Sequence, residues 1–151
     1  MTDTLHRTDT PPASSHASPV RASSEPSARR LRAVLAANAS TSFACGVAGL
    51  VAAPYWADTL GIDSTAWIRV VSVGLVLFAI DVALVAARSA RTLSTATLVI
   101  SIGDLAWVAA TAIALTTVSF TTTGWILAVV IGVGVLDFAL LQLWFRRRLA
   151  Q

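Results

Sequence analysis

Three acidic side chains lie within apolar stretches that are long enough to cross a bilayer: Asp81, Asp104 and Asp137. Each belongs to a different stretch, and a fourth stretch carries Asn38 instead. An aspartate at the centre of a membrane helix costs about 2.5 to 3.5 kcal/mol, so three cost on the order of 8 to 10 kcal/mol unless something offsets them. Carboxyl groups at this depth are typical of proton or cation sites, and also of hydrogen bonds between helices.

No basic residue lies near these three carboxyl groups within the apolar stretches. The arginine nearest to the membrane interior, Arg69, is about 18 Å along its helix from Asp81. Three buried carboxylates without a cation cannot all stay ionised, because burial and mutual repulsion both favour the protonated form. A protonated carboxyl group donates as well as accepts, so it can bond to Asn38, to Ser101 or to a backbone carbonyl of another helix.

The depth of each residue follows from its distance to the end of its span. Asp104 lies about 16 Å from one end of its span and about 21 Å from the other, and Asp137 lies close to the centre of its own. Asp81 is about 10 Å from the arginine that follows its span, and Asn38 has a similar depth. We therefore expect all four residues to line the inner half of one bundle.

Helical spacing adds further residues to this candidate site. In the third span, five residues recur at three- and four-residue intervals and share a face: Thr97, Ser101, Asp104, Val108 and Thr111. Trp107 offers an indole donor three residues from Asp104. The candidate proton, cation or interhelical polar site comprises Asp81, Asp104, Asp137, Asn38, Ser101 and Trp107. In the first span, small residues form a stripe that lets another helix approach closely: Ser42, Cys45, Gly46 and Gly49.

Other chemistry is not indicated. His6 and His16 match no metal-ligand spacing, and a single cysteine, Cys45, excludes an internal disulfide and a multi-cysteine metal site. No phosphate-binding loop, nucleophile elbow or zinc-protease motif occurs in the sequence. We predict no cofactor, no metal site and no enzymatic activity.

The composition sets the fold class. Of 151 residues, 56% are hydrophobic and 13% are charged, about half the charged fraction of a soluble domain. The apolar stretches predict four spans, at about 33–55, 66–87, 93–118 and 125–145. Because their connections are short, neighbouring spans must run antiparallel. The sequence therefore predicts an all-α, membrane-embedded four-helix bundle with up-down-up-down topology.

The flanking segments predict the domain limits and the orientation. Residues 1–28 are rich in Ser, Thr, Pro and Ala and predict a disordered cytoplasmic tail, which leaves 29–151 as the transmembrane domain. Arginines precede the first span and follow the second and fourth, whereas Asp58 and Asp63 lie between the first and second, with Arg69 just inside the second. The positive-inside rule then places both termini in the cytoplasm of a bacterial inner membrane. Because the basic residues gather at span ends, we expect lipid contacts and no nucleic-acid binding.

Several segments resemble a loose group of uncharacterised small four-span bacterial membrane proteins. The most distinctive is Gly-Asp-Leu-Ala-Trp-Val at 103–108, and others are Ala-Pro at 53–54, Leu-Gly-Ile at 60–62 and Gly-Leu-Val-Leu-Phe-Ala at 74–79. The resemblance covers about three-quarters of the chain. It implies the four-span architecture and no activity.

Two functions fit these features. The first is an interaction or accessory membrane protein, a homo-oligomer through its small-residue faces or a partner of another membrane protein. The alternative is a proton-coupled carrier or channel for an unknown small solute, using Asp104 and Asp137 with Asp81 as an inner relay. The two hypotheses differ in whether the aspartates hold helices together or carry protons.

Overall fold

The structure, a computed structural model, describes residues 19–149, which form five helices and no strand. In chain order these are α1 (Pro19–Val51), α2 (Ala53–Leu60), α3 (Thr65–Ala86), α4 (Ala90–Thr117) and α5 (Thr122–Leu149). Each of α1, α3, α4 and α5 contains a segment of 22 to 27 residues that is long and apolar enough to cross a membrane. The predicted all-α, membrane-embedded bundle of four up-down-up-down helices is confirmed.

The first helix begins earlier than expected. The predicted disordered tail runs through residue 28, but residues 19–28 belong to α1, and residues 1–18 lie outside the described part of the chain. Ala28 and Leu31 are buried, so α1 still packs on the bundle beyond the predicted start of its span. Extending a helix that already exists orders one residue per added hydrogen bond, which is far easier than starting a new helix.

The first span ends earlier than expected, because the helix breaks at Ala52 and restarts as the short α2. Pro54 lies in the first turn of α2, where its missing N–H and fixed φ are tolerated, whereas inside a longer helix it would remove a hydrogen bond. Gly61 ends α2 in the left-handed conformation, with φ of 78°. Residues 56–65, which the predicted spans leave as a loop, are therefore helical in their first half, where Ala57 is buried against Ile68 of α3.

The helices α1 and α3 approach closely through small residues. A β-carbon added at Gly46 would lie 2.9 Å from the backbone oxygen of Ser72, and one added at Gly49 would clash with the Ser72 hydroxyl. Because the backbone of α3 cannot rotate away as a hydroxyl can, the separation of the two helices at Gly46 requires glycine. Of the expected small-residue stripe, Gly46 and Gly49 therefore face α3, whereas Cys45 is exposed.

The packing order places α1 at the centre of the bundle. It packs on α3 and on α5, α5 packs on α4, and α3 and α4 contact each other only slightly. Arginines gather at one end, here called the arginine-rich end: Arg29, Arg30, Arg32, Arg88, Arg146, Arg147 and Arg148. The main apolar core lies towards that end and contains Leu31, Leu35, Ala39, Val82, Val85, Leu93 and Ile100. Since lipid is as apolar as these side chains, the core stabilises the bundle mainly by close packing.

We predict that Gly46→Ala destabilises the bundle, because the new methyl group requires α1 to move away from α3. The expected loss is on the order of 1–3 kcal/mol, as for other overpacked cores. Gly134→Ala is the matched control, since nothing lies within 4 Å of a β-carbon built there. Unfolding by SDS in mixed micelles, followed by circular dichroism, measures both variants. Equal stability of the two variants would contradict the close approach.

Candidate functional site

Asp104 is the centre of a polar cluster inside the bundle. It lies midway along α4 and is 2% exposed. Nδ2 of Asn38 on α1 and Nε2 of Gln142 on α5 each donate a hydrogen bond of 3.0 Å to its Oδ2. One carboxyl oxygen therefore joins three membrane helices.

Gln142 holds α5 against α4 through both ends of its amide. Its Nε2 donates to Asp104, and its Oε1 accepts a 3.0 Å bond from the hydroxyl of Ser101. Ser101 and Asp104 are three residues apart and so lie on one face of α4. Because the amide is planar, these two bonds constrain both the height and the rotation of α5 relative to α4.

Asn38 plays the corresponding role for α1. It is 1% exposed, and its Oδ1 accepts a 3.3 Å bond from the hydroxyl of Ser42, one turn further along the same helix. This bond directs the amide so that its nitrogen faces Asp104. The serine, asparagine, aspartate and glutamine side chains form one continuous polar network across α1, α4 and α5.

All donors in this network point towards the carboxyl group. Each serine hydroxyl donates to an amide oxygen, and each amide nitrogen donates to Asp104. Among the described residues, no buried side-chain nitrogen or oxygen lacks a hydrogen-bond partner. Since both amide bonds end on Oδ2, Oδ1 can carry a proton without displacing either donor. The arrangement is suited to holding a carboxyl group in place inside a membrane.

The expected convergence of the three aspartates is wrong. Asp81 on α3 and Asp137 on α5 are both exposed on the surface of the bundle. Both lie within segments that are long and apolar enough to cross a membrane, but the rotation of each helix turns them away from Asp104. The reason for α5 is that Gly132, Ala139 and Gln142 are buried, which leaves Asp137 on the opposite side of the helix.

The other residues predicted on α4 are only partly connected to the site. Trp107 is half-buried, and the described bonds of Asp104 come from Asn38 and Gln142 rather than from its indole. Thr97 is buried, and its hydroxyl donates to the backbone oxygen of Leu93. The structure thus brings together Asn38, Ser101 and Asp104, and leaves out Asp81, Asp137 and Trp107.

Gln142 is the residue that the sequence interpretation missed. It lies four residues before Arg146 and therefore reads as part of the polar end of the span. The signal was its spacing, because Gly132, Ala139 and Gln142 follow one another at seven and three residues. Because Gly132 and Ala139 are small and lie on one side of the helix, they indicate its packed face, and Gln142 lies on the same face.

Among the described residues, no group of three His, Cys, Asp or Glu side chains is placed to hold a metal ion. No protein-family model, curated protein or solved structure matches the chain.

We predict that Asp104→Asn folds with nearly the stability of the wild type, whereas Asp104→Leu is destabilised. The asparagine oxygen can accept both amide bonds, but leucine leaves the amides of Asn38 and Gln142 without their acceptor. The expected loss for leucine is about 1–3 kcal/mol. Thermal unfolding in mild detergent measures the difference.

Asp137→Leu is the matched control for Asp104→Leu, because it removes a carboxyl group of similar depth from the surface of the bundle. We expect it to unfold at or above the wild-type temperature. If Asp104→Asn is instead as unstable as Asp104→Leu, the negative charge matters and the acceptor role is wrong.

Proposed function

We propose that this chain is an interaction or accessory protein of the bacterial inner membrane, which works by associating with a second copy of itself and not by catalysis. The observation that carries the proposal is the exposure of Asp81, an aspartate at membrane depth on the surface of the bundle. Its neighbours on that surface are large apolar side chains such as Leu77 and Leu84. This surface is apolar enough to contact lipid except at Asp81.

Placing Asp81 in lipid costs free energy that no hydrogen bond among the described residues offsets. An aspartate facing lipid costs about 2.5–3.5 kcal/mol, somewhat less when it reaches towards the interface. The buried amides of the bundle are directed at Asp104 instead. A second protein surface that supplies a polar partner would remove this cost.

The outer face of α3 has the pattern of a helix-packing surface. Four exposed residues follow one another at seven-residue steps along α3 and just beyond its end: Trp67, Gly74, Asp81 and Arg88. A seven-residue repeat keeps one face of a helix against a partner helix in a left-handed pair. Nothing lies within 4 Å of a β-carbon built at Gly74, so this glycine is available for a close approach between two copies.

A symmetric pair explains why the aspartate is tolerated. Two copies inserted in the same direction and related by a twofold axis would place the same residue of each α3 opposite its counterpart. The two facing side chains can then supply each other with the polar contacts that lipid does not offer. The pair gains hydrogen bonds that neither copy has alone.

Asp137 extends the same reasoning to another face. It lies on α5, which is separated from α3 by α1, and its exposed neighbours include Val133 and Leu140. A pair formed through α3 leaves this second aspartate for a further contact, with another copy or with a different membrane protein. This is the basis for proposing an accessory role.

The orientation is part of the proposal. The arginine-rich end carries the basic residues that flank the spans, and Asp58 and Asp63 lie at the other end. The positive-inside rule supports cytoplasmic termini and an outer α2. A proton-coupled carrier has less support, because Asp81 and Asp137 face away from Asp104 and form no common path with it.

We predict that Asp81→Leu weakens self-association. Loss of one interhelical polar contact raises the dissociation constant about 3- to 30-fold. Donor and acceptor dyes on Asp63→Cys, an exposed loop position, in a Cys45→Ala background report energy transfer between copies in liposomes over a range of protein-to-lipid ratios. Asp81→Asn should restore association, because its amide still bonds to its counterpart. Unchanged transfer in Asp81→Leu would contradict the α3 contact.

We also predict that Gly74→Cys, in a Cys45→Ala background, forms a disulfide-linked dimer when oxidised in membranes. The reason is that Gly74 lies on the proposed axis of contact, so its counterpart is within disulfide range. Val73→Cys is the matched control, since it is exposed and adjacent but turned about 100° around the helix. Equal cross-linking of both variants would indicate random collision.

A further inference from the structure

We infer that a cleft at the arginine-rich end binds the phosphate group of an anionic phospholipid. The cleft has a volume of about 450 Å³ and is lined by Ser27, Trp144, Arg147 and Arg148. It lies between the early part of α1 and the last turns of α5. This site is independent of the proposed self-association, which uses α3.

The chemistry of the lining suits a phosphate. Two guanidinium groups provide planar pairs of N–H donors that match phosphate oxygens, and the Ser27 hydroxyl adds a further donor. None of the four lining residues is acidic. A phosphate in the cleft therefore meets hydrogen-bond donors and positive charge from these four residues.

Four arginines of this end differ in their contacts. Arg32 donates from Nη2 to the backbone oxygen of Arg88 over 3.0 Å, and Arg146 donates from Nε to that of Ser94 over 3.1 Å. These two side chains hold helix ends together. Arg147 and Arg148 are exposed and line the cleft instead.

The position of Trp144 favours a lipid as the source of the phosphate. Its ring lies 4.1 Å from the guanidinium carbon of Arg148 and packs edge-on against Phe145. Tryptophan at the end of a span marks the level of the headgroups. Leu140 and Leu141, exposed one turn before Trp144, continue the same surface into the membrane and offer contacts to acyl chains.

The test is native mass spectrometry of the purified full chain in detergent, with phosphatidylglycerol or phosphatidylcholine added at equal concentration. We expect a preference for phosphatidylglycerol that Arg147→Ala/Arg148→Ala abolishes, with a loss of about fivefold for each arginine. The double variant Arg29→Ala/Arg30→Ala is the matched control, because it removes the same charge from the same end but from residues outside the cleft. It should keep the preference.

Equal losses in the two double variants would overturn the site, because general electrostatic attraction would then explain the preference. An unchanged preference in Arg147→Ala/Arg148→Ala would overturn it as well. Inorganic phosphate at millimolar concentration should not displace the lipid, and displacement would show that the cleft takes a soluble anion. Equal melting temperatures of the variants establish that the fold is intact.

Discussion

The carboxyl group of Asp104 is the point on which the arrangement of the helices depends. The interior of a bilayer offers no water, so a buried polar group must find its partners within the protein. Here the partners come from two other helices, Asn38 on α1 and Gln142 on α5. Any sliding or rotation of either helix would break a bond that no solvent molecule replaces. The polar network therefore sets the register of three helices, and the apolar core around it has only to fill the remaining space.

The remaining membrane helix, α3, joins the bundle by different physics. Its closest contact is that of Gly46 and Gly49 with Ser72, where small residues bring two backbones together, and dispersion over a close contact replaces hydrogen bonding. Gly46 and Gly49 of α1 are thus buried in the contact with α3. The outward Gly74 and Asp81 of α3 take no part in this contact, so the proposed association relies on them and not on the glycines of α1.

The sequence is sufficient to predict properties that depend on position along a helix. It is a poor guide to which side chains are buried when this depends on the rotation of a helix about its axis. Span number, topology and the depth of Asp104 follow from apolar length and a fixed rise per residue. The burial of Asn38, Ser101 and Asp104 was recognisable because several polar residues share one face. Asp81 and Asp137 have no such companions, so their depth alone suggested burial. The helix break at Ala52 was not predicted either, because the apolar run continues through Pro54 and gives no sign that α2 begins there.

The rotation of α5 shows how one carboxyl group excludes another. Gln142 and Asp137 are five residues apart, which separates them by about 140° around the helix. Turning α5 to bury Asp137 would place a second carboxyl group near Asp104, and like charges in a low dielectric repel strongly. It would also turn Gln142 towards lipid, removing a donor from the carboxyl group that needs it. The amide of Gln142 can donate to the carboxylate of Asp104 and still accept from Ser101. An aspartate in that position could not donate in this way. Asp104 therefore favours the rotation of α5 that buries Gln142, and this rotation leaves Asp137 exposed.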